Sequence, residues 1–251
     1  MIARLGDTEQ TLDLPPGYTL VALRELGDAF AHACEIAAEA GAGTLVWVRR
    51  YDLVEFAVVL EPDEPLKSAR RAFFAGMNAV ADAIAAHCPP EREVTFDWPD
   101  AIRFDAGLLG GGRLGWPAEC TEDDIPEWLV FGVILRAADM AHVPEVQAAS
   151  GVSLLGEGFE MVETDAIIES FARHLMTAFD RWKERGFEAI AQDYLERLPK
   201  SKAGERRGID VNGDLLVSLL AGGGAPARDS LVDALGRATW YDAQARGPKF
   251  G

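Results

Sequence analysis

Trp98-Pro99-Asp100, followed seven residues later by Gly107-Leu-Leu-Gly110-Gly111-Gly112-Arg113-Leu-Gly115, constrains this chain more than any other stretch. Glu93-Val-Thr-Phe-Asp97 reads as a strand leading into it, and a proline with fixed φ makes a corner. Ile102-Arg-Phe104 reads as the next strand, and a Gly-rich loop follows. Glycines this dense let a backbone approach another group closely. Strand, corner, strand and glycines together predict the wall of a ligand site.

Around that wall the pattern alternates between helix and strand. Leu23, Leu26, Phe30, Cys34 and Ala37 recur at helical spacing after the turn-rich Leu12–Gly17 lead-in, and Gly41-Ala-Gly43 ends that helix. Thr44–Val48 and Val54–Leu60 read as buried neighbouring strands. A helix from Pro65 to about residue 87 presents Ala69, Phe73, Met77, Val80 and Ile84 on one face. Further strands fall at 93–97, about 102–105, about 112–116 and 128–135. A long amphipathic helix from Glu163 to Arg185 precedes a second helix through Ile190, Tyr194 and Leu198. Asn212-Gly213 between apolar runs predicts a hairpin with a tight primed turn. Arg228–Leu235 reads as a short helix, and Thr239-Trp-Tyr241 as a closing apolar anchor. Strands and helices in this order describe an α+β protein with one mixed, mainly antiparallel sheet.

Charge divides the chain. Residues 1–199 carry 16 basic and 35 acidic side chains, residues 200–251 carry 8 and 6, and the whole has a net charge of −17. The polar stretch Lys200–Gly208 marks that change, which predicts a main domain over 1–199, a basic linker over 200–207 and a small C-terminal domain over 208–251. The acidity argues against nucleic acid or an anionic membrane as partner. Cys34, Cys88 and Cys120 form no C-x-x-C pair, so neither a disulfide framework nor a metal site is expected. The longest apolar run, Trp128–Leu135, is too short for a bilayer span, and no secretory pattern follows Met1, so the expectation is a soluble, cytoplasmic protein.

The Trp98-Pro99-Asp100 segment and the glycine run resemble the biotin/lipoate protein ligase family, in which Lys-Trp-Pro-Asn-Asp precedes Gly-Arg-Lys-Leu-Ala-Gly-Ile. Trp128-Leu-Val-Phe-Gly132-Val-Ile134, Arg181-Trp182 with Gly186-Phe187 and Tyr194, and the Gly208–Val217 hairpin are similar to later parts of the same family. The resemblance implies the ligase catalytic fold, related to class II aminoacyl-tRNA synthetases, with a small C-terminal domain. It also implies ATP with Mg²⁺, with biotin, lipoate or octanoate as the acid and a lysine of a biotinyl or lipoyl carrier domain as the acceptor.

Departures from the family pattern bear on the chemistry. Asp97 and Ala101 replace the outer Lys and Asp of the first motif, and the lysine of the second falls on Gly107 or Leu108. The family's Gly/Arg-rich adenylate loop is reduced to Arg49-Arg50-Tyr51, and no lysine lies between Lys67 and Lys183. Each lost charge-stabilising group costs about 3 kcal/mol of transition-state stabilisation. Arg113, Arg103 and Arg49 or Arg50 are the candidate replacements, since a guanidinium fork fits phosphate or carboxylate. The expected substrate-binding set is therefore Arg49, Trp98, Asp100, Gly110, Gly111, Gly112 and Arg113.

Each member also has a plainer reading. Trp98 is either a pocket floor or a core residue, Asp100 a ligand contact or a turn cap, and Arg113 an anion clamp or a solvent-facing arm. His32 and His174 sit among apolar helix neighbours and read as structural. Three functions remain open: a divergent ligase that binds an acyl acid or its adenylate, a non-catalytic scaffold with the ligase fold, and an ATP-independent acyltransferase with Cys120 as nucleophile.

Overall fold

The computed structural model describes residues 11–138, 151–159, 164–219 and 224–249. The expected start of the long helix at Glu163 lies outside them. The first strand, β1 (Thr19–Leu23), precedes helix α1 (Ala29–Ala40), strands β2 (Thr44–Val48) and β3 (Leu53–Leu60), and helices α2 (Leu66–Ala69) and α3 (Ala72–His87). Strands β4 (Val94–Asp97), β5 (Ala101–Phe104), β6 (Gly107–Gly115) and β7 (Leu129–Arg136) follow, then helices α4 (Thr164–Arg185) and α5 (Phe187–Arg197). The C-terminal part holds β8 (Glu205–Ile209), β9 (Leu215–Leu219), β10 (Ala227–Asp229), α6 (Leu231–Leu235), β11 (Tyr241–Asp242) and β12 (Gly247–Pro248).

Seven strands form the main sheet in the order β1-β2-β3-β7-β6-β5-β4. The β1–β2 pair is parallel and every other pair is antiparallel. Strand β7 is buried along its whole length and β3 along all but its last residue, as the apolar runs Leu129–Leu135 and Phe56–Leu60 require of central strands. One sheet face carries α3 and α4. There Phe56, Phe131, Phe73 and Phe171 pack together, with Phe56 and Phe171 rings 4.6 Å apart. The other face carries α1, whose Ala29, Ala33 and Ala37 sit on Val46, Val48, Ala57, Val59 and Val130. Alanines at this spacing bring α1 close to the sheet.

Four local features differ from the sequence expectation. The apolar period that suggested a helix from Leu23 spans two elements: Thr19–Leu23 is a strand, and Leu26 is exposed. Asp28 sets the true start of α1, because its Oδ1 accepts the Ala31 N–H at 2.9 Å. The helix expected from Pro65 is interrupted at Arg70 and Arg71, whose side chains bond the Asn212 and Ser68 carbonyls and pair with Glu122 and Glu64. The glycine run is not a loop but the nine-residue strand β6, with a register shift opposite Ile102/Arg103. Finally, the β8–β9 hairpin turns through Asp210–Asp214 rather than a two-residue primed turn. Of its residues only Gly213 has positive φ, and the Asp210 carboxylate accepts the Asn212 and Asp214 N–H groups at 2.8 and 3.0 Å.

The C-terminal part folds back onto the main sheet. Strand β8 opens at Glu205, inside the stretch read as a linker, and β10 occupies 227–229, so α6 starts at Leu231 behind its Ser230 cap. Leu215 and Leu231 join the main core, while Trp240 packs with Leu53, Ala101, Leu108 and Ile134 on the α1 face. No helix among the described residues is long and apolar enough to cross a membrane.

Candidate functional site

Side chains alternate across β6, and this separates the residues that the sequence had grouped. The bare face of Gly112 looks toward the α3 side, where an added Cβ would lie 2.6 Å from Met77 Sδ and 3.3 Å from Phe73. Gly111 and Arg113 face the opposite, α1 side. There a Cβ on Gly111 would collide with the Trp240 indole. Gly110, beside the register shift, has the Ile134 carbonyl where a Cβ would go. Close approach does explain these glycines, and the approaching groups are the chain's own Trp240, Met77 and Ile134.

Trp98 belongs to the α3 side. It stacks on Phe74 at 6.0 Å and meets Tyr194 edge-on, and the Tyr194 hydroxyl donates to the Pro99 carbonyl at 2.6 Å. The cis Trp98–Pro99 corner is thereby fastened to α5. The Trp98 Nε1–H is buried and has no acceptor among the described residues. Arg49 lies at the turn of the β2–β3 hairpin with its guanidinium 5.7 Å from the Trp47 ring, also on the α3 side. Arg103, the other candidate cation, is bound to Asp97 and the Ala106 carbonyl. The corner then carries the chain across the sheet to Asp100, which is 3% exposed. Burial pushes its carboxyl up to about 6. The Trp240 indole N–H lies near enough to favour the ionised form, without a hydrogen bond of ordinary geometry.

Arg113 is the distinctive group on the α1 side. Its guanidinium carbon is 4.4 Å from the Phe30 ring centre and 4.9 Å from that of Tyr241, so two aromatic faces hold it. Its Nη1 is buried without a hydrogen-bond partner, and no carboxylate pairs with it among the described residues. Phe30 rests on Gly132 and against Gly115, positions where a Cβ would lie 2.6 and 2.9 Å from its ring atoms. Burial pushes the neighbouring Cys34 thiol up to about 11, against the pull of the Arg113 charge. The Tyr241 phenol is also raised, chiefly by burial.

Arg50, also on this face, is already neutralised. Arg50 donates to both Asp52 oxygens at 2.9 and 2.7 Å, and one of its nitrogens lies 3.7 Å from Glu55. Burial raises the Glu55 carboxyl, which also accepts the Ala29 N–H at the start of α1 at 2.9 Å.

Residues 240–249 form a strap across this face. Arg136 donates to the Pro248 and Lys249 carbonyls at 2.9 and 3.0 Å, and Arg246 donates to those of Leu26 and Gly27 at 3.2 and 2.9 Å. A cavity of about 270 Å³ lies beside the strap, lined by Arg50, Asp52, Leu53, Arg136 and Gly247.

Cys120 lies in a separate cluster with Leu66 and Ala69. Burial and the carboxylates of Asp124, Glu119 and Glu122 raise its thiol, the reverse of what a nucleophilic thiolate needs. His174 bonds the Ser170 carbonyl one turn back. Among the described residues, no three His, Cys, Asp or Glu side chains converge as a metal set. The sequence singles out Arg113 but not the Phe30 and Tyr241 rings beside it, which lie about 210 residues apart in the chain.

Comparison with known proteins agrees with this architecture. Residues 14–196 match the biotin/lipoate A/B protein ligase family. A biotin–[acetyl-CoA-carboxylase] ligase of Paracoccus denitrificans is 27% identical over 206 residues, covering 80% of each chain. Among solved structures, a biotin protein ligase-like protein of unknown function from a Silicibacter species is 26% identical, with a TM-score of 0.75 over 89% of this chain and 99% of its own. The biotin protein ligase of Aquifex aeolicus shares the fold at 13% identity, with a TM-score of 0.61 over 84% of this chain and 98% of its own. By its element order, its seven-stranded sheet and the match over most of its length, the chain belongs to the biotin/lipoate A/B protein ligase family.

Proposed function

We propose that this protein binds a small acyl acid of the biotin, lipoate and octanoate class on the α1 face of its sheet, with Arg113 taking the carboxylate. Biotin is the first choice, because the Paracoccus relative is named a biotin ligase. One observation carries the reading: a buried guanidinium nitrogen without an acceptor beside a glycine-rich strand. A buried donor without a partner costs about 1–3 kcal/mol, and an incoming carboxylate supplies a charge-assisted pair of acceptors. The Phe30 and Tyr241 rings flank that guanidinium.

The residues do not fit a triphosphate equally well. Arg50 is neutralised by Asp52 and Glu55, Arg49 lies toward the other face, and no metal set converges among the described residues. No ATP step is therefore derived. Acid recognition with little adenylation is the reading supported, and an active chain would pass the acyl group to a lysine of a biotinyl or lipoyl carrier domain. A scaffold that keeps only the fold is the second reading. It is favoured by the way Trp240, Met77 and Phe30 already fill the spaces above the glycines.

ATP–pyrophosphate exchange with biotin, lipoate and octanoate separates these cases when run beside direct titration of each acid. Binding without exchange is expected. Exchange with one acid, lost in Arg113→Ala, would establish an active adenylating ligase and overturn the expectation of weak adenylation. Failure of all three acids to bind would favour the scaffold.

A further inference from the structure

The strap contributes more than a covering to the face it crosses. A free arginine side chain samples many rotamers, and its fork binds a carboxylate well only when the guanidinium plane is already fixed. Arg113 has no carboxylate or carbonyl to fix it among the described residues. What holds it is a pair of rings: Phe30 from α1 and Tyr241 from the strap. Both rings are themselves fastened. Phe30 is seated on Gly132 and Gly115, where any side chain on the sheet would displace it. Tyr241 follows Trp240, whose indole occupies the bare face of Gly111 and is 2% exposed. The strap is tied at its far end by Arg136, and Arg246 ties it to the residues just before α1. The last described residues of the chain and its first helix therefore meet at one guanidinium.

We infer that Phe30 and Tyr241 are positioning residues for Arg113, so that the C-terminal strap completes the acid site rather than forming a separate appendage. The inference rests on the acid-binding reading above. The property required of residue 241 is a flat π face, not its hydroxyl and not merely apolar bulk.

Calorimetric titration of biotin into the full chain tests this with three substitutions beside Arg113→Ala. Tyr241→Phe keeps the ring and should bind as the parent does. Tyr241→Leu keeps apolar bulk without the π face, and Tyr241→Ala removes both; each should weaken binding by roughly five- to tenfold. The melting temperature and the protection of residues 240–249 from amide hydrogen exchange report whether the strap stays seated. Parent-like affinity in a Tyr241→Leu protein with its strap seated would overturn the positioning role. If Arg113→Ala abolishes binding while Tyr241→Ala and Tyr241→Leu do not, the inference falls and the acid site stands. If Arg113→Ala binds biotin as the parent does, or the parent does not bind it, the acid-site reading falls and the inference with it.

Discussion

Gly112 and Arg113 are adjacent on β6 yet belong to opposite kinds of surface. Gly112 looks into a layer of Met77, Phe73 and Phe131, where every contact is apolar and the glycine serves only to let the helix approach. Arg113 looks toward α1 and the strap, where a half-buried cation is held by rings and not by an opposite charge among the described residues. The α3 face is packed in the manner of any protein core. The α1 face carries the polar groups a core avoids: Arg113, Asp100, Glu55 and Arg136. One strand separates an apolar layer from a face that carries charged groups, because β geometry sends successive residues to opposite sides.

Substitutions at the two faces should separate accordingly. The largest expected effect is Trp240→Ala, which removes the indole from its glycine seat and should cost about 3–5 kcal/mol in urea unfolding if the strap is part of the cooperative unit. A much smaller loss would show that the strap unfolds on its own. Gly112→Val should cost roughly 3 kcal/mol by overpacking against Met77. Both figures are read from equilibrium denaturation, and equal tolerance of Gly112→Val and a surface substitution would contradict the packing described.

Asp100 offers a test by pH. Its folded carboxyl titrates at about 6 against 3.8 unperturbed, so the folded state binds the proton more tightly than the unfolded one. Its contribution to stability is complete below the unfolded value and is lost as pH rises through about 6. Asp100→Asn should therefore be more stable than the parent at pH 7.5, by up to about 3 kcal/mol, with the advantage fading between pH 6 and 4. A difference independent of pH would contradict the raised carboxyl. The smallest effect is expected at Arg49→Ala: within about 0.5 kcal/mol in stability, since this exposed side chain has no ion-pair partner among the described residues, and no change in biotin affinity.

Much of the fold was legible in the sequence, because the central strands β2, β3 and β7 are mostly apolar runs and α3 has a sustained helical period. The β1/α1 boundary was not, since Leu23 and Leu26 happen to fall in phase with Phe30, and only the Asp28 cap marks the break. The glycine run misled in a specific way. Dense glycine signals close approach but does not say what approaches, and here Trp240 arrives from more than a hundred residues away. Arg113 could be singled out from its neighbours. Its two aromatic partners could not, because nothing local links Phe30 or Tyr241 to it. The alternation that places Trp98 and Arg49 across the sheet from Arg113 needed the strand register, which the loop reading had concealed.

The most direct measurement is a calorimetric titration of biotin into the parent protein and Arg113→Ala, with circular dichroism to confirm that both are folded. The account predicts saturable one-site binding to the parent and at least about a tenfold loss of affinity in the variant, the scale of a charge-assisted hydrogen bond. Equal affinity in the two proteins, or no binding to the parent, would contradict it.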